Sequence, residues 1–219
     1  MRIGIVGAGA IGLLFGAYLD QAGHQLTLFT RTGKQADDLE RLGCQVELYS
    51  GERLSYHPRA IATETREQPV MDDIDLLLIT VKQFSLPAVI LWLKERLPVH
   101  VPLIVLMNGL GHEKIFSAQL PNPVYFGMTS SGATRLKSTL VVEKGRGKTR
   151  IGSLQQVDGE CRVITKLIAS LKQMGLDVSW SSDIESELWK KGIVNACINP
   201  LTALFQVPNG KLVSSPSFF

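Results

Sequence analysis

The stretch "RIGIVGAGAIGLLFGAYL", Arg2 to Leu19, commits the chain within its first two dozen residues. Arg2–Val6 is a short β-rich apolar run; Gly7, Ala8, Gly9, Ala10, Ile11 and Gly12 follow; then Leu13, Leu14, Ala17 and Tyr18 recur at helical spacing up to Gly23. The order is strand, glycine turn, helix. Taken alone, G-x-G-x-x-G says little, because many chains reverse direction on glycines. Here residues 25–29 read as a second strand, and a polar helix with apolar positions at Ala36, Leu39 and Leu42 runs on to a stop at Gly43. The turn therefore sits inside a βαβ unit of the length that dinucleotide-binding folds use.

Each glycine has a separate job in such a turn. Gly7 permits the tight reversal, Gly9 lets the backbone approach a pyrophosphate, and Gly12 lets helix and strand pack closely. With Ala8, Ala10 and Ile11 they bring the helix N-terminus, with its free N–H groups, up to an anion. The end of the second strand reads Thr30-Arg31, with no carboxylate before Asp37 to hold a ribose 2′-hydroxyl. Arg31 is instead suited to a 2′-phosphate, which favours NADP(H) over NAD. The bland alternative is a solvated arginine at a strand end. Lys82 and Asn108 lie just beyond two further apolar runs, residues 75–81 and 103–107, at the edge where open α/β sheets bind ligands. Lys82 is placed for an adenosine phosphate, and Asn108 for the nicotinamide ribose or a substrate, with Gly109 and Gly111 allowing close approach. A surface lysine and an Asn-Gly turn are the plain alternatives.

Between these landmarks the pattern alternates strand and helix. Residues 44–56 read as a hairpin or irregular excursion around Ser50-Gly51, without obvious chemistry; residues 84–97 read as a crossover helix, and a short helix runs to Gln119. Residues 124–128, 140–143 and 149–152 read as strands, 159–174 as an amphipathic helix and 177–180 as a last strand. From Asp183, a candidate N-cap, the pattern is purely helical. The expected fold class is α/β, a Rossmann-type doubly wound parallel sheet over residues 1–182 followed by a helical unit over 183–219. The 23 Lys and Arg against 20 Asp and Glu form no basic block, which argues against nucleic acid. Cys44, Cys161 and Cys197 are widely spaced and have no CxxC or His cluster, so they read as reduced thiols and not as metal ligands. No apolar run has the length of a membrane span and the N-terminus lacks a signal-peptide core; the expected location is cytoplasmic.

The second informative stretch is "LWKKGIVNACINPLTALF", residues 188–205. On a helix, Lys191, Asn195 and Asn199 stand at i, i+4 and i+8 and form one polar line. Ile193, Val194, Ala196, Ile198, Leu201 and Leu204 are apolar enough to bury the rest, which would point the line into a cleft where a polar ligand satisfies the amides. Pro200 should kink the helix beside Asn199. Alternatively Asn199 ends the helix before Pro200 and Lys191 is merely solvated.

From "IGIVGAGAIG" through "LLLITVKQFS", "LMNGLG" and "GKTRIG" to "ELWKKGIVNACINPLTAL", nearly the whole chain resembles the ketopantoate reductase (2-dehydropantoate 2-reductase) family. The resemblance implies NADPH-dependent reduction of 2-dehydropantoate to (R)-pantoate, toward pantothenate and coenzyme A. It implies Lys191 as the general acid and Lys190 as a bystander. Cofactor contacts would come from the glycine turn, Arg31, Lys82 and Asn108, and substrate contacts from Asn108, Lys191, Asn195 and Asn199. Two departures stand out. Glu143 replaces a histidine common in relatives, an expected local change. Family members also extend beyond the asparagine motif with a serine and a glutamate that hold substrate. Residues 183–219 would then be the first helices of a truncated substrate domain, consistent with a homodimer through exposed C-terminal helices. The competing readings are a truncated NADP(H)-binding module with weak or no catalysis, and a reductase of another branched 2-oxo acid.

Overall fold

The apolar runs pair side by side in a computed structural model that describes residues 1–64, 71–155, 161–207 and 211–212. Chain order is β1 (Arg2–Val6), α1 (Ala10–Gln21), β2 (Gln25–Thr30), α2 (Gly33–Leu42), β3 (Cys44–Glu47), β4 (Arg53–Tyr56), β5 (Arg59–Ala62) and β6 (Leu76–Ile79). A 3-10 turn, Gln83–Ser85, leads into α3 (Leu86–Lys94), followed by β7 (Leu103–Val105), α4 (Glu113–Gln119) and β8 (Val124–Thr129). Then come β9 (Gly132–Lys137), β10 (Leu140–Gly145), β11 (Thr149–Gly152), α5 (Arg162–Gln173), β12 (Val178–Trp180) and α6 (Ile184–Phe205). Of the helix expected over 159–174, residues 159–160 lie outside the described residues.

Eight strands form the main sheet in the order β12-β11-β8-β7-β6-β1-β2-β5. All neighbours run parallel except β8 and β11. Because successive side chains point to opposite faces, the central runs are apolar throughout and feed two cores. Ile3, Ile5, Leu76, Leu78 and Ile104 pack with Leu14 of α1 and Leu167 and Leu171 of α5. Leu77, Ile79, Leu103 and Val105 pack on the other face with Leu86, Leu93, Phe116, Ile184 and Leu188.

A second sheet, β4-β3-β10-β9, lies against α1 and takes up the 44–56 hairpin. Its β3 and β10 pair in parallel although about ninety residues separate them, which no local pattern announces. Neither β5 nor β9 is marked in the sequence reading. Two tyrosines lock this sheet to α1: Tyr56 donates its hydroxyl to the Leu13 carbonyl at 3.0 Å, and Tyr18 of α1 donates to Glu143 Oε1 at 2.8 Å. Glu143 also accepts the Tyr49 N–H at 2.9 Å and pairs with Arg146 at 3.4 Å. Its role is structural, but it spans two layers.

At the C-terminal end one expectation is corrected. Asp183 caps α6 by accepting the Ser186 N–H, and the helix continues through Pro200 to Phe205, so Asn199 does not end it. It is not a buried helix, however. Only Ile184 and Leu188 are buried, because α6 meets β8 and β11 with its first turns alone. Trp189, Ile193, Val194 and Leu204 are more than half exposed, Leu204 at 74%.

Glu143→Ala leaves the buried Tyr18 hydroxyl without its acceptor and removes the anchor of Tyr49. The expected cost is about 3 kcal/mol, read as a lower urea midpoint with an unchanged m-value.

Candidate functional site

Every loop with a candidate residue leaves the same edge of the sheet, at the C-terminal ends of β1, β2, β6, β7 and β8. The glycine turn is fixed from beside it: the Gly7 N–H donates to Phe29 O at 2.9 Å, and Thr80 donates its hydroxyl to the Gly7 carbonyl at 2.7 Å. Gly7 adopts φ +105°, which a side chain would strain. A Cβ on Gly12 would stand 2.1 Å from the Gly7 carbonyl oxygen, whereas a Cβ on Gly9 would meet nothing within 4 Å. Close packing at Gly12 and open space at Gly9 are the two conditions a phosphate-cradling turn requires. Gly9 is also the N-cap of α1 and offers no side-chain cap, so the first-turn N–H groups of the helix face outward without one. The Ala8 carbonyl accepts from Gln35 and from Arg135.

Arg31 is exposed at the end of β2 and makes no hydrogen bond or ion pair among the described residues. Lys82 is exposed just past β6, where its carbonyl accepts the Ser85 N–H at 2.9 Å and opens the 3-10 turn. The sequence-distant pair Asn108 and Lys191 is brought into direct contact. Lys191 Nζ donates to Asn108 Oδ1 at 2.6 Å and to the Thr129 carbonyl at 2.5 Å. Burial lowers the pKa of this amine below the ordinary lysine value. Farther along the polar line, Asn195 is half-buried and Asn199 exposed, and neither side chain is hydrogen-bonded among the described residues. Of the three, only Lys191 engages the sheet.

Several contributors escaped the sequence reading. Thr129 acts through its backbone carbonyl, so its side chain carries no signal. Gly192 lets α6 pass the Asn108 loop: a Cβ there would lie 2.9 Å from Leu110 Cδ1. A glycine inside a helical pattern was the available clue. Thr80, Gln35 and Arg135 reach the glycine turn only through tertiary structure. Among the described residues no group of His, Cys, Asp and Glu is arranged to hold a metal, and no helix is long and apolar enough to cross a membrane.

A parallel sheet with a glycine turn and a lysine–asparagine contact on one edge defines a Rossmann-type α/β protein. A family model described as "Ketopantoate reductase PanE/ApbA" matches residues 3–156, and its C-terminal companion matches residues 183–218. The chain belongs to the ketopantoate reductase family. A 2-dehydropantoate 2-reductase from Listeria innocua is 32% identical over 98% of the chain and 69% of its own length. The chain thus spans about two thirds of the length of such relatives. Among solved structures, a PanE/ApbA family ketopantoate reductase from Ralstonia eutropha superposes with TM-score 0.79 at 25% identity, covering 100% of this chain and 69% of that one. A D-mandelate dehydrogenase bound to NADH and anilino(oxo)acetate gives TM-score 0.86 at 25% identity, with the same coverage of 100% and 69%.

Gly9 and Gly12 should separate in stability. Gly12→Ala forces the turn apart and is expected to cost more than about 2 kcal/mol. Gly9→Ala, at φ −85° with open space beside it, should change stability by less than about 0.5 kcal/mol. Urea melts of the two variants measure the difference.

Proposed function

We propose that the chain carries out NADPH-dependent reduction of 2-dehydropantoate to (R)-pantoate, in the route to pantothenate and coenzyme A. The observation that carries this reading is the Lys191 ammonium held against Asn108 and the Thr129 carbonyl, at the sheet edge that also bears the glycine turn. Residues 1–182 then act as the cofactor domain, and 183–219 as the beginning of a substrate domain. A cytoplasmic location is part of the same reading, and the unpaired Cys44, Cys161 and Cys197 accord with it.

The residues fit a phosphorylated dinucleotide. Gly9 leaves open space beside the first-turn N–H groups of α1, where the pyrophosphate would lie. Arg31, without a partner among the described residues, would take the 2′-phosphate, and the exposed Lys82 the adenosine side. When bound there, NADPH would supply the hydride for C2 of the 2-oxo acid. As negative charge grows on the C2 oxygen, the Lys191 ammonium stabilises it and donates the proton, leaving a neutral amine. Asn108 and the Thr129 carbonyl hold Nζ in place. Asn195 and Asn199, on the same helix face, orient the hydroxyl and carboxylate of the substrate.

Lys191→Ala should reduce ketopantoate-dependent loss of NADPH absorbance by roughly 100-fold or more, with NADPH binding retained; full turnover in that variant removes Lys191 from the mechanism. Protonated Lys191 is the acid, so activity is present below its folded pKa and lost as pH rises through it. Because burial lowers that pKa, the basic limb of the kcat/KM profile should fall below 10.5, the ordinary lysine value.

The fit to D-mandelate dehydrogenase, at TM-score 0.86, favours a second reading in which a different 2-oxo acid is reduced. A substrate panel separates the two, and NADPH binding without turnover of any 2-oxo acid would leave a dinucleotide-binding module.

A further inference from the structure

One carbonyl in the glycine turn is gripped from two directions. Ala8 O accepts Gln35 Nε2, from α2, at 2.8 Å and Arg135 Nη1, from β9, at 2.9 Å. Arg135 stands 127 residues away on the second sheet. No acidic group pairs with it among the described residues, although its neighbourhood is exposed. Gln35 also donates to Ser138 O at 3.3 Å, and Ser138 donates its hydroxyl to Asp38 Oδ2 at 2.8 Å, so α2 and the β9–β10 connection are stitched together beside the turn.

The peptide between Ala8 and Gly9 is a planar trans unit, in which the carbonyl and the N–H point in opposite directions. Holding Ala8 O toward Arg135 and Gln35 therefore holds the Gly9 N–H toward the opposite side. Gly9 has no Cβ, and the space next to it is open. A carbonyl polarised by a guanidinium also makes the N–H of the same peptide a stronger donor. The Arg135 Nη1 contact, 2.9 Å from the Ala8 carbonyl, also brings a guanidinium to the residue just before the N-cap of α1.

We propose that Arg135 is a positioning residue for dinucleotide binding: through the Ala8 carbonyl it sets the orientation of the Gly9 N–H that meets the pyrophosphate. The role rests on the dinucleotide reading given above. It differs from that of Arg31 in kind. Arg31 addresses a group that only NADPH carries, whereas Arg135 acts on a turn that any nicotinamide dinucleotide must use. Gln35 is the weaker half of the same clamp, because an uncharged amide polarises the carbonyl less.

The test is fluorescence titration of the purified chain with NADPH and, separately, NADH. Arg135→Met should weaken both by the same factor, about tenfold, while the urea midpoint without ligand stays at the wild-type value. Arg135→Lys, which keeps a cation and one donor, should recover part of the loss. Equal affinities in wild type and Arg135→Met overturn the proposal. A loss confined to NADPH also overturns it, by making Arg135 a 2′-phosphate contact. A midpoint that falls in both variants, with binding restored once the folded fraction is accounted for, reduces Arg135 to a structural tie and likewise overturns the proposal. Failure of the wild type to bind either dinucleotide refutes the underlying reading and this role with it; binding by the wild type with an unaffected variant refutes this role alone.

Discussion

The approach of α1 to β1 is so close at Gly12 that a single methyl group would collide with the Gly7 carbonyl, 2.1 Å from where its carbon would stand. Most of the site follows from that contact. It brings the helix start directly over the strand end, and leaves the Gly9 side of the turn as the place where backbone N–H groups and open space coincide. Thr80 secures the arrangement from the neighbouring strand by donating to the Gly7 carbonyl, so the turn is tied to β6 as well as to β2.

The second sheet acts on the same helix from its far side. Tyr56 holds the Leu13 carbonyl, Glu143 holds Tyr18 and Arg135 holds Ala8, whose carbonyl Gln35 of α2 also grips. An excursion without evident chemistry in the sequence thus becomes a brace for the element that would carry the anion. The opposite end of the site is held more lightly. α6 engages the sheet through Ile184, Leu188 and the Lys191 ammonium, passes the Asn108 loop at Gly192, then runs on with its apolar residues more exposed than covered. The lysine is half-buried at this junction, where lost hydration lowers its pKa while two oxygen acceptors fix its position.

Legibility in the sequence tracked the range of each interaction. Strand-turn-helix at the N-terminus, the buried parallel strands, the Asp183 cap and the placement of Arg31, Lys82 and Asn108 at strand ends are all set by local periodicity and turn chemistry, and each stands where the pattern put it. The i, i+4 spacing put Lys191, Asn195 and Asn199 on one face. The expected burial of that helix failed because apolar composition states what a face can cover, not whether a partner is packed against it.

By itself the sequence determined the family, the α/β order and the residue types at the sheet edge, since these follow from short-range patterns and from motifs that survive in order along the chain. Only the tertiary structure decided which distant groups meet: Lys191 with Asn108 and the Thr129 carbonyl, Arg135 with Ala8, Glu143 with Tyr18. These contacts join residues 62 to 127 positions apart. Two of them end on backbone carbonyls, which every residue possesses and no sequence pattern distinguishes.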